Sequence, residues 1–309
     1  MVRVVLAGNN SAAIQVLDLL LELQAEVLCL SPPDSDRASW QEALAPAATA
    51  RGVTSLQPED VNDPEIIGEI ASFDASLLLS VYYTQIFRPP LIDAVSGPCI
   101  NLHPSLLPRH RGVAPLIWAI IDGDNTTGVT AHVIDPGIDT GPVLLQRKLP
   151  IHLADTGAQL HDKAGRLVAA MCAELLRAHR NGADLSVGRA QTGPATYRDR
   201  RVPAVNHLVW TDSRERIRNI VRALAPPLPG AFAHIQDRRV VIAHVEAVEA
   251  IGGRPWRPGA LSFAADPPIV WAGDGPVRIV EVDLLDGRGT VSGSELRLLP
   301  GAYEGSLLS

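Results

Sequence analysis

The chain has 309 residues, 46% of them hydrophobic, and a net charge of −7 from 27 basic and 34 acidic side chains. It is too long and too apolar for a peptide scaffold or a disordered tail, and at about 100–200 residues per domain two domains are expected. Three scattered cysteines (Cys29, Cys99, Cys172) exclude a disulfide framework or a thiolate zinc site, no metal is expected, and no apolar run approaches the ~20 residues that span a bilayer.

Residues 2–7 form a short apolar strand, and Ile14, Leu17, Leu20 and Leu21 then recur at helical spacing. Residues 26–30 read as a second strand, 31–36 as a loop and 40–51 as a helix. A helix over 65–71, a fully buried strand over 75–82 and a strand over 99–102 follow. Continuous apolar strands alternating with helices imply an α/β fold with a parallel sheet covered on both faces. Ligands in such sheets sit at the carboxyl ends of the strands. Residues 130–134 and 143–149 are two further strands, and 156–180 is a long amphipathic helix. Residues 188–203 mix Gly, Pro, Thr and Arg, and a boundary near Arg200 divides the chain into 1–200 and 201–309. A helix over 214–224 and strand-like runs at 231–235, 240–248, 269–272 and 277–282 suggest a small C-terminal β-barrel.

Gly8-Asn9-Asn10-Ser11 lacks the spacing of a dinucleotide site and reads as a turn capped by Asn10 or Ser11. The informative stretch runs from Asn101 to Gly141. Positions two apart on a strand face one side, so Asn101 and His103 are expected to share a pocket. A turn from Ser105 to Gly112 leads into a helix over 113–121. The strand over 128–134 ends in Asp135-Pro136-Gly137-Ile138-Asp139-Thr140-Gly141. Asn, His and Asp at strand ends suggest acid–base chemistry beside an oxyanion donor. The amide supplies N–H, the imidazole exchanges a proton near neutrality, and a carboxylate favours imidazolium. Neither Ser105 nor a cysteine is placed as an activated nucleophile, so direct transfer is expected. The same spacing also fits a packed sheet end with capped polar groups. Nearby, His132 reads as structural, Arg109 and His110 as an exposed turn, and Trp118 as core. Tyr82 and Tyr83 read equally as pocket lining or packing.

Asn101-Leu102-His103-Pro104-Ser105-Leu106-Leu107-Pro108 with Arg111-Gly112 resembles the signature of 10-formyltetrahydrofolate-dependent formyltransferases. Gly128-Val129-Thr130 through Gly137-Ile138-Asp139-Thr140-Gly141 resembles their second motif. The similarity extends over most of the chain, including Tyr82-Tyr83 and Pro229-Gly230-Ala231-Phe232. It implies a Rossmann-like, mostly parallel sheet in the catalytic domain and an oligonucleotide-fold (OB-like) barrel after it. It also implies a triad of Asn101, His103 and Asp139, with N10-formyltetrahydrofolate as the donor cosubstrate. Asp139, rather than Asp135, is the essential acid. The pterin is expected against the main chain of Gln85, Ile86 and Phe87 and of Asp135, Pro136, Gly137 and Ile138, where side-chain identity is loose.

Members of this family differ in the amine they formylate. A tRNA acceptor calls for a basic surface, yet residues 1–200 hold 15 basic and 22 acidic groups and residues 201–309 hold 12 of each. A small-molecule amine is therefore favoured, with no nucleic-acid or membrane partner; a homodimer stays open. Tyr82-Tyr83 and the layout of the C-terminal half resemble the amino-sugar branch, in which a nucleotide-linked sugar is the acceptor. Val113 departs from that branch, which resembles an Arg there, so a siderophore or antibiotic precursor amine is kept beside the sugar. The alternatives are methionyl-tRNA formylation and, less favoured, hydrolysis of the formyl-folate. The hydrolase type is expected to carry a regulatory domain ahead of the catalytic one, and none is expected before Val2. The cysteine usage and the absence of an expected signal peptide point to the cytoplasm.

Overall fold

The computed structural model describes residues 2–33, 42–198, 206–249 and 257–309. Most of the expected loop before Trp40, Trp40 itself and the boundary near Arg200 lie outside the described residues. Two compact units emerge: one comprises Met1–Pro115, Thr126–Pro150 and His161–Asp199, the other Leu116–Asn125, Ile151–Leu160 and Arg200–Ser309.

In the first unit, β1 (Arg3–Gly8), β2 (Glu26–Leu30), β3 (Ser55–Leu56), β4 (Leu77–Val81) and β5 (Cys99–His103) are parallel neighbours. Helices α1 (Ser11–Glu22), α2 (Leu44–Ala50), α3 (Pro64–Phe73) and α4 (Pro89–Asp93) connect them. After the two-residue β6 (Arg111–Gly112) and α5 (Pro115–Ile121), the chain adds β7 (Thr126–Val133) and β8 (Val143–Pro150). The sheet order is β3-β2-β1-β4-β5-β7-β8. The sheet is mostly parallel, but β7 runs antiparallel to both β5 and β8. β7 and β8 follow one another through a loop with no crossover helix, so they pair as antiparallel neighbours. The long α6 (Gly157–Arg180) follows, and the short β9 (Tyr197–Arg198) pairs with β6.

The apolar continuity of the central strands has the expected cause. Val4 to Ala7 and Leu77 to Leu79 are all fully buried, because a parallel sheet is covered on both faces. The order reverses between β1 and β4, so the carboxyl ends of β1, β4 and β5 border the crevice where ligands bind in such sheets. α1 begins there, with the Asn10 side chain accepting from the Ala12 N–H at 3.0 Å.

In the second unit, α7 (Arg214–Leu224) starts at Ser213, whose hydroxyl accepts from the Arg216 N–H at 3.2 Å. β10 (Ala231–Ile235), β11 (Arg238–Ala247), β12 (Leu261–Ser262), β13 (Ile269–Ala272), β14 (Gly275–Asp283) and β15 (Thr290–Ser292) form an antiparallel sheet. Its path β10-β11-β14-β13-β12 leaves two edges. The last residues lie along both, Leu308 bridging Ile235 and Leu307 bridging Ala260. The curled sheet is thus completed by the chain terminus, a contribution the sequence pattern did not announce. β12 and β15 are too short to carry an alternating signal.

Leu79 is fully buried at the centre of the parallel sheet. Leu79→Ala is expected to lower stability by about 2–5 kcal/mol through lost burial and a residual cavity. Urea unfolding measures it.

Candidate active site

The antiparallel pairing of β5 with β7 places Asn101 opposite His132 and His103 opposite Thr130. Thr130 anchors the turn that follows β5. Its hydroxyl donates to the Ser105 carbonyl at 2.7 Å and accepts from the Leu107 N–H at 3.2 Å and from Gln146 Nε2 at 2.8 Å. Ser105 is itself fully buried and donates to the Arg109 carbonyl.

Asp139 is the centre of the cluster. One carboxylate oxygen accepts from Asn101 Nδ2 at 3.1 Å and lies 3.4 Å from His132 Nε2. The other accepts from the Gly112 N–H at 2.8 Å and lies 3.4 Å from His103 Nδ1. Asp139 adopts a left-handed backbone (φ 52°), as do His110 (55°), Ala114 (53°) and Tyr82 (56°). Such conformations cost non-glycine residues energy and persist where surrounding contacts impose them. Two glycines are required here. Gly112 has φ 91° and a Cβ on it would sit 2.4 Å from the Arg198 carbonyl oxygen; on Gly141 the Cβ would meet the Val133 carbonyl oxygen at 1.8 Å.

Hydrogen-bond logic assigns the protons. His132 Nδ1 lies 2.9 Å from the Val133 carbonyl and must donate to it. Its Nε2 then accepts from Asn101 Nδ2 at 3.2 Å. The Asn101 amide therefore gives one hydrogen to Asp139 and one to His132; a flipped amide would set its oxygen against the carboxylate. His103 Nε2 lies 2.8 Å from the His110 carbonyl and donates to it. That leaves Nδ1 facing Asp139.

The electrostatics follow from burial. His103 is held below its ordinary value of 6.5 by burial, partly offset by the Asp139 carboxylate and the His110 carbonyl, with His132 and His110 also disfavouring a second positive charge. Burial pushes Asp139 upward, but the neighbouring His103 and His132 rings and the Gly112 N–H outweigh it and hold the carboxyl at about 2. At neutral pH the cluster is an ionised carboxylate facing an imidazole nitrogen that is free to accept a proton.

The expected folate segments are ordered differently from one another. Gln85 is not a loose side chain: it accepts from the Val61 N–H at 2.7 Å and donates to the Pro58 carbonyl at 3.2 Å. Asn62 donates to the Ile86 carbonyl and accepts from the Arg88 N–H. The Phe87 ring is buried core, stacked on Tyr83 with centroids 5.4 Å apart. Ile86 remains exposed beside a depression of about 500 Å³ lined also by Asp60, Asn62 and Thr84. In the loop, Asp135 accepts from the Thr140 hydroxyl at 2.7 Å, while Pro136, Gly137 and Ile138 are exposed. Ile134 packs on the same apolar cluster as Phe87 and Tyr83. Both segments thus rest on one core and present apolar surface and main chain, which fits a flat heterocycle read by backbone groups.

Three expectations change. His110 is buried, not exposed, because its left-handed backbone carries the carbonyl to His103. His132 joins the cluster, because its strand neighbours Asn101 in register. The side chain of Gln85 is engaged, as above. Of the two readings kept for Tyr82, packing is the one observed: its ring lies edge-on against His161, with centroids 5.0 Å apart. Among the described residues no metal-binding group of three or more His, Cys, Asp or Glu side chains occurs, and no helix is long and apolar enough to cross a membrane. Cys29, Cys99 and Cys172 are buried free thiols.

Residues 2–173 match the family model described as formyl transferase, and residues 202–296 match the model of the formyl transferase C-terminal domain. The chain is 34% identical over 286 residues to a methionyl-tRNA formyltransferase of Caldanaerobacter subterraneus, covering 91% of each. A methionyl-tRNA formyltransferase of Sorangium cellulosum is 32% identical over 95% of each chain. The fold is similar to that of a Helicobacter canadensis N-formyltransferase solved with folinic acid and dTDP-3-aminofucose. That structure has a TM-score of 0.66 and 20% identity, over 90% of this chain and 99% of that one.

Replacing Asp139 by Asn removes the charge that favours imidazolium, so His103 is expected to titrate at still lower pH, as followed by histidine NMR. Folded His103 binds its proton less readily than in the unfolded chain. Stability is therefore expected to fall as pH drops below 6.5, the ordinary value. Asp139 adds to this further down, its contribution complete above 3.8 and lost as pH falls toward about 2. Urea unfolding at stepped pH checks both, and His103→Gln is expected to flatten the upper part of the slope.

Proposed function

The chain belongs to the formyl transferase family, whose members depend on 10-formyltetrahydrofolate, and from that premise we propose that it N-formylates the primary amine of a small molecule. The acceptor classes that fit are a nucleotide-linked amino sugar and a siderophore or antibiotic precursor amine. The observation that carries the chemistry is the convergence of Asn101, His103 and His132 on the Asp139 carboxylate at a strand's carboxyl end.

In this reading Asn101, His103 and Asp139 are the catalytic residues. The amine attacks the formyl carbon, a C–N bond forms, and the bond from that carbon to N10 of the folate breaks. Asn101 N–H and the protonated His103 ring stabilise the oxyanion of the tetrahedral species. An oxyanion beside Asn101 takes over one of the hydrogens that the resting amide shares with Asp139 and His132. The amine proton passes to His103 Nδ1, where it lies between the ring and Asp139, and then to the departing N10. The main chain of Gln85, Ile86 and Phe87 and of Asp135, Pro136, Gly137 and Ile138 is the proposed pterin contact. Residues 1–200 serve as the catalytic domain and 201–309 as the barrel, and the buried thiols suit a cytoplasmic location.

The charge balance supports a small acceptor: an enzyme that holds tRNA neutralises many phosphates, and this chain carries −7 overall. The second reading is methionyl-tRNA formylation, favoured by the 34% identity to an enzyme of that name.

His103→Ala and Asn101→Ala are expected to fold normally and to lose on the order of 10²–10⁴-fold in release of tetrahydrofolate. Wild-type turnover in either variant would remove the catalytic assignment. The acceptor is tested by incubating the protein with 10-formyltetrahydrofolate and a panel of amino sugars, hydroxylated diamines and charged initiator tRNA. A gain of one formyl mass on a small amine is expected. Formylation of the tRNA alone would establish the second reading.

A further inference from the structure

Asp139 is gripped by its carboxylate from one side, and its main chain is gripped from the other. Gln191 Nε2 donates to the Asp139 carbonyl at 2.8 Å and to the Gly141 carbonyl at 2.9 Å. The Gln191 carbonyl oxygen accepts from Arg111 Nε at 3.2 Å and from Arg111 Nη2 at 2.7 Å. Both hydrogens and both lone pairs of one amide are therefore used. The two carbonyls it holds flank Thr140 in the loop that carries the left-handed Asp139. The arginine it receives belongs to β6, whose next residue, Gly112, donates to the Asp139 carboxylate.

The surroundings hold Gln191 in turn. Arg189 and Val143 exchange main-chain hydrogen bonds at 2.7 and 2.9 Å, which sets the segment leading into Gln191 against the start of β8. Further on, the Thr196 carbonyl accepts from Arg111 N–H and the Arg198 carbonyl accepts from Val113 N–H. Arg111 also lies over the Tyr197 ring at 5.3 Å and donates to its hydroxyl at 2.5 Å. The segment from 189 to 198 thus laces the Asp139 loop to the turn after β5.

We propose that Gln191 is a positioning residue for formyl transfer, fixing the distance between the Asp139 carboxylate and His103 Nδ1 by clamping the loop backbone at Asp139 and Gly141. It touches neither reacting atom. It rests on the catalytic reading given above, because its action runs through Asp139. At 3.4 Å the carboxylate and the imidazole are near the outer limit of useful contact, so a small loop displacement changes their coupling disproportionately.

The test uses the full-length protein with two variants. Q191M keeps the length of the side chain and removes all four hydrogen bonds. Q191N keeps an amide one carbon too short to hold both carbonyls. Each is expected to melt cooperatively and to lose about 10- to 10²-fold in kcat. Histidine NMR is expected to show the His103 titration moved to lower pH, since the favouring carboxylate is less well held. Asp139, His132 and His110 are the titratable groups facing His103, and only the first is released by these changes. Wild-type kcat together with an unmoved His103 titration in a folded variant would overturn the inference; should Q191M fail to fold, Q191N decides. His103→Ala runs alongside. If it keeps turnover, the catalytic reading falls first; if it is inactive while the folded Gln191 variants are normal, only the role of Gln191 falls.

Discussion

The candidate site depends on one buried carboxylate kept ionised by its neighbours. A charge in a low-dielectric setting is tolerated only when its lone pairs are satisfied. Asp139 accepts from a main-chain N–H and a side-chain amide and faces two imidazoles, groups brought together from the three strands β5, β6 and β7. The left-handed backbone at Asp139, the absence of a side chain at Gly112 and Gly141, and the antiparallel entry of β7 are all consequences of bringing those segments together. Removing one of them costs more than the lost contact alone, because the buried charge is then less well satisfied.

Much of this was legible in the residues themselves. The period-two spacing of Asn101 and His103 on an apolar strand located them on one face; the Gly- and Pro-bounded loop offered Asp135 and Asp139 alike, and only the resemblance to the formyltransferase motif chose Asp139. The parallel core from β1 to β5 followed from strands without polar alternation. The rest depended on long-range pairing. The placement of His132 beside Asn101 requires the direction and register of β5 against β7, which no local pattern encodes. His110 looked like a polar turn residue, yet it is its main-chain carbonyl that matters, and a carbonyl leaves no trace in side-chain identity. The stretch 188–203 mixes Gly, Pro, Thr and Arg and read as the approach to a domain boundary; the role of its residues 189–198 lies in backbone hydrogen bonds to Val143 and to the turn around Arg111. The closing of the second sheet by Leu307 and Leu308 was invisible for a similar reason, since isolated bridges carry no periodicity.

Two of the sequence relatives and one of the fold neighbours point to different acceptors. The relatives above 30% identity bear the name of a tRNA enzyme, whereas a fold neighbour at 20% identity was solved with a nucleotide-linked amino sugar. In the proposed mechanism the cluster around Asp139 is indifferent to that choice, because it would act on the carbon being moved and the nitrogen receiving it. Discrimination among amines must come from surfaces that bind the remainder of the acceptor. There the excess of acidic over basic groups in residues 1–200 weighs against a polyanion.

The bond from His103 Nε2 to the His110 carbonyl has an implication for direction. It ties one corner of the imidazole to the main chain, so the ring cannot turn over to exchange its two nitrogens without abandoning a short buried contact. In the proposed mechanism, traffic in protons is thereby confined to a single doorway, the nitrogen beside Asp139, and whatever enters there would leave by the same route. Arrival and departure of one proton on one atom ties the loss from the incoming nitrogen to the gain by the outgoing one, and a catalytic cycle returns the enzyme to its starting tautomer with no separate reset.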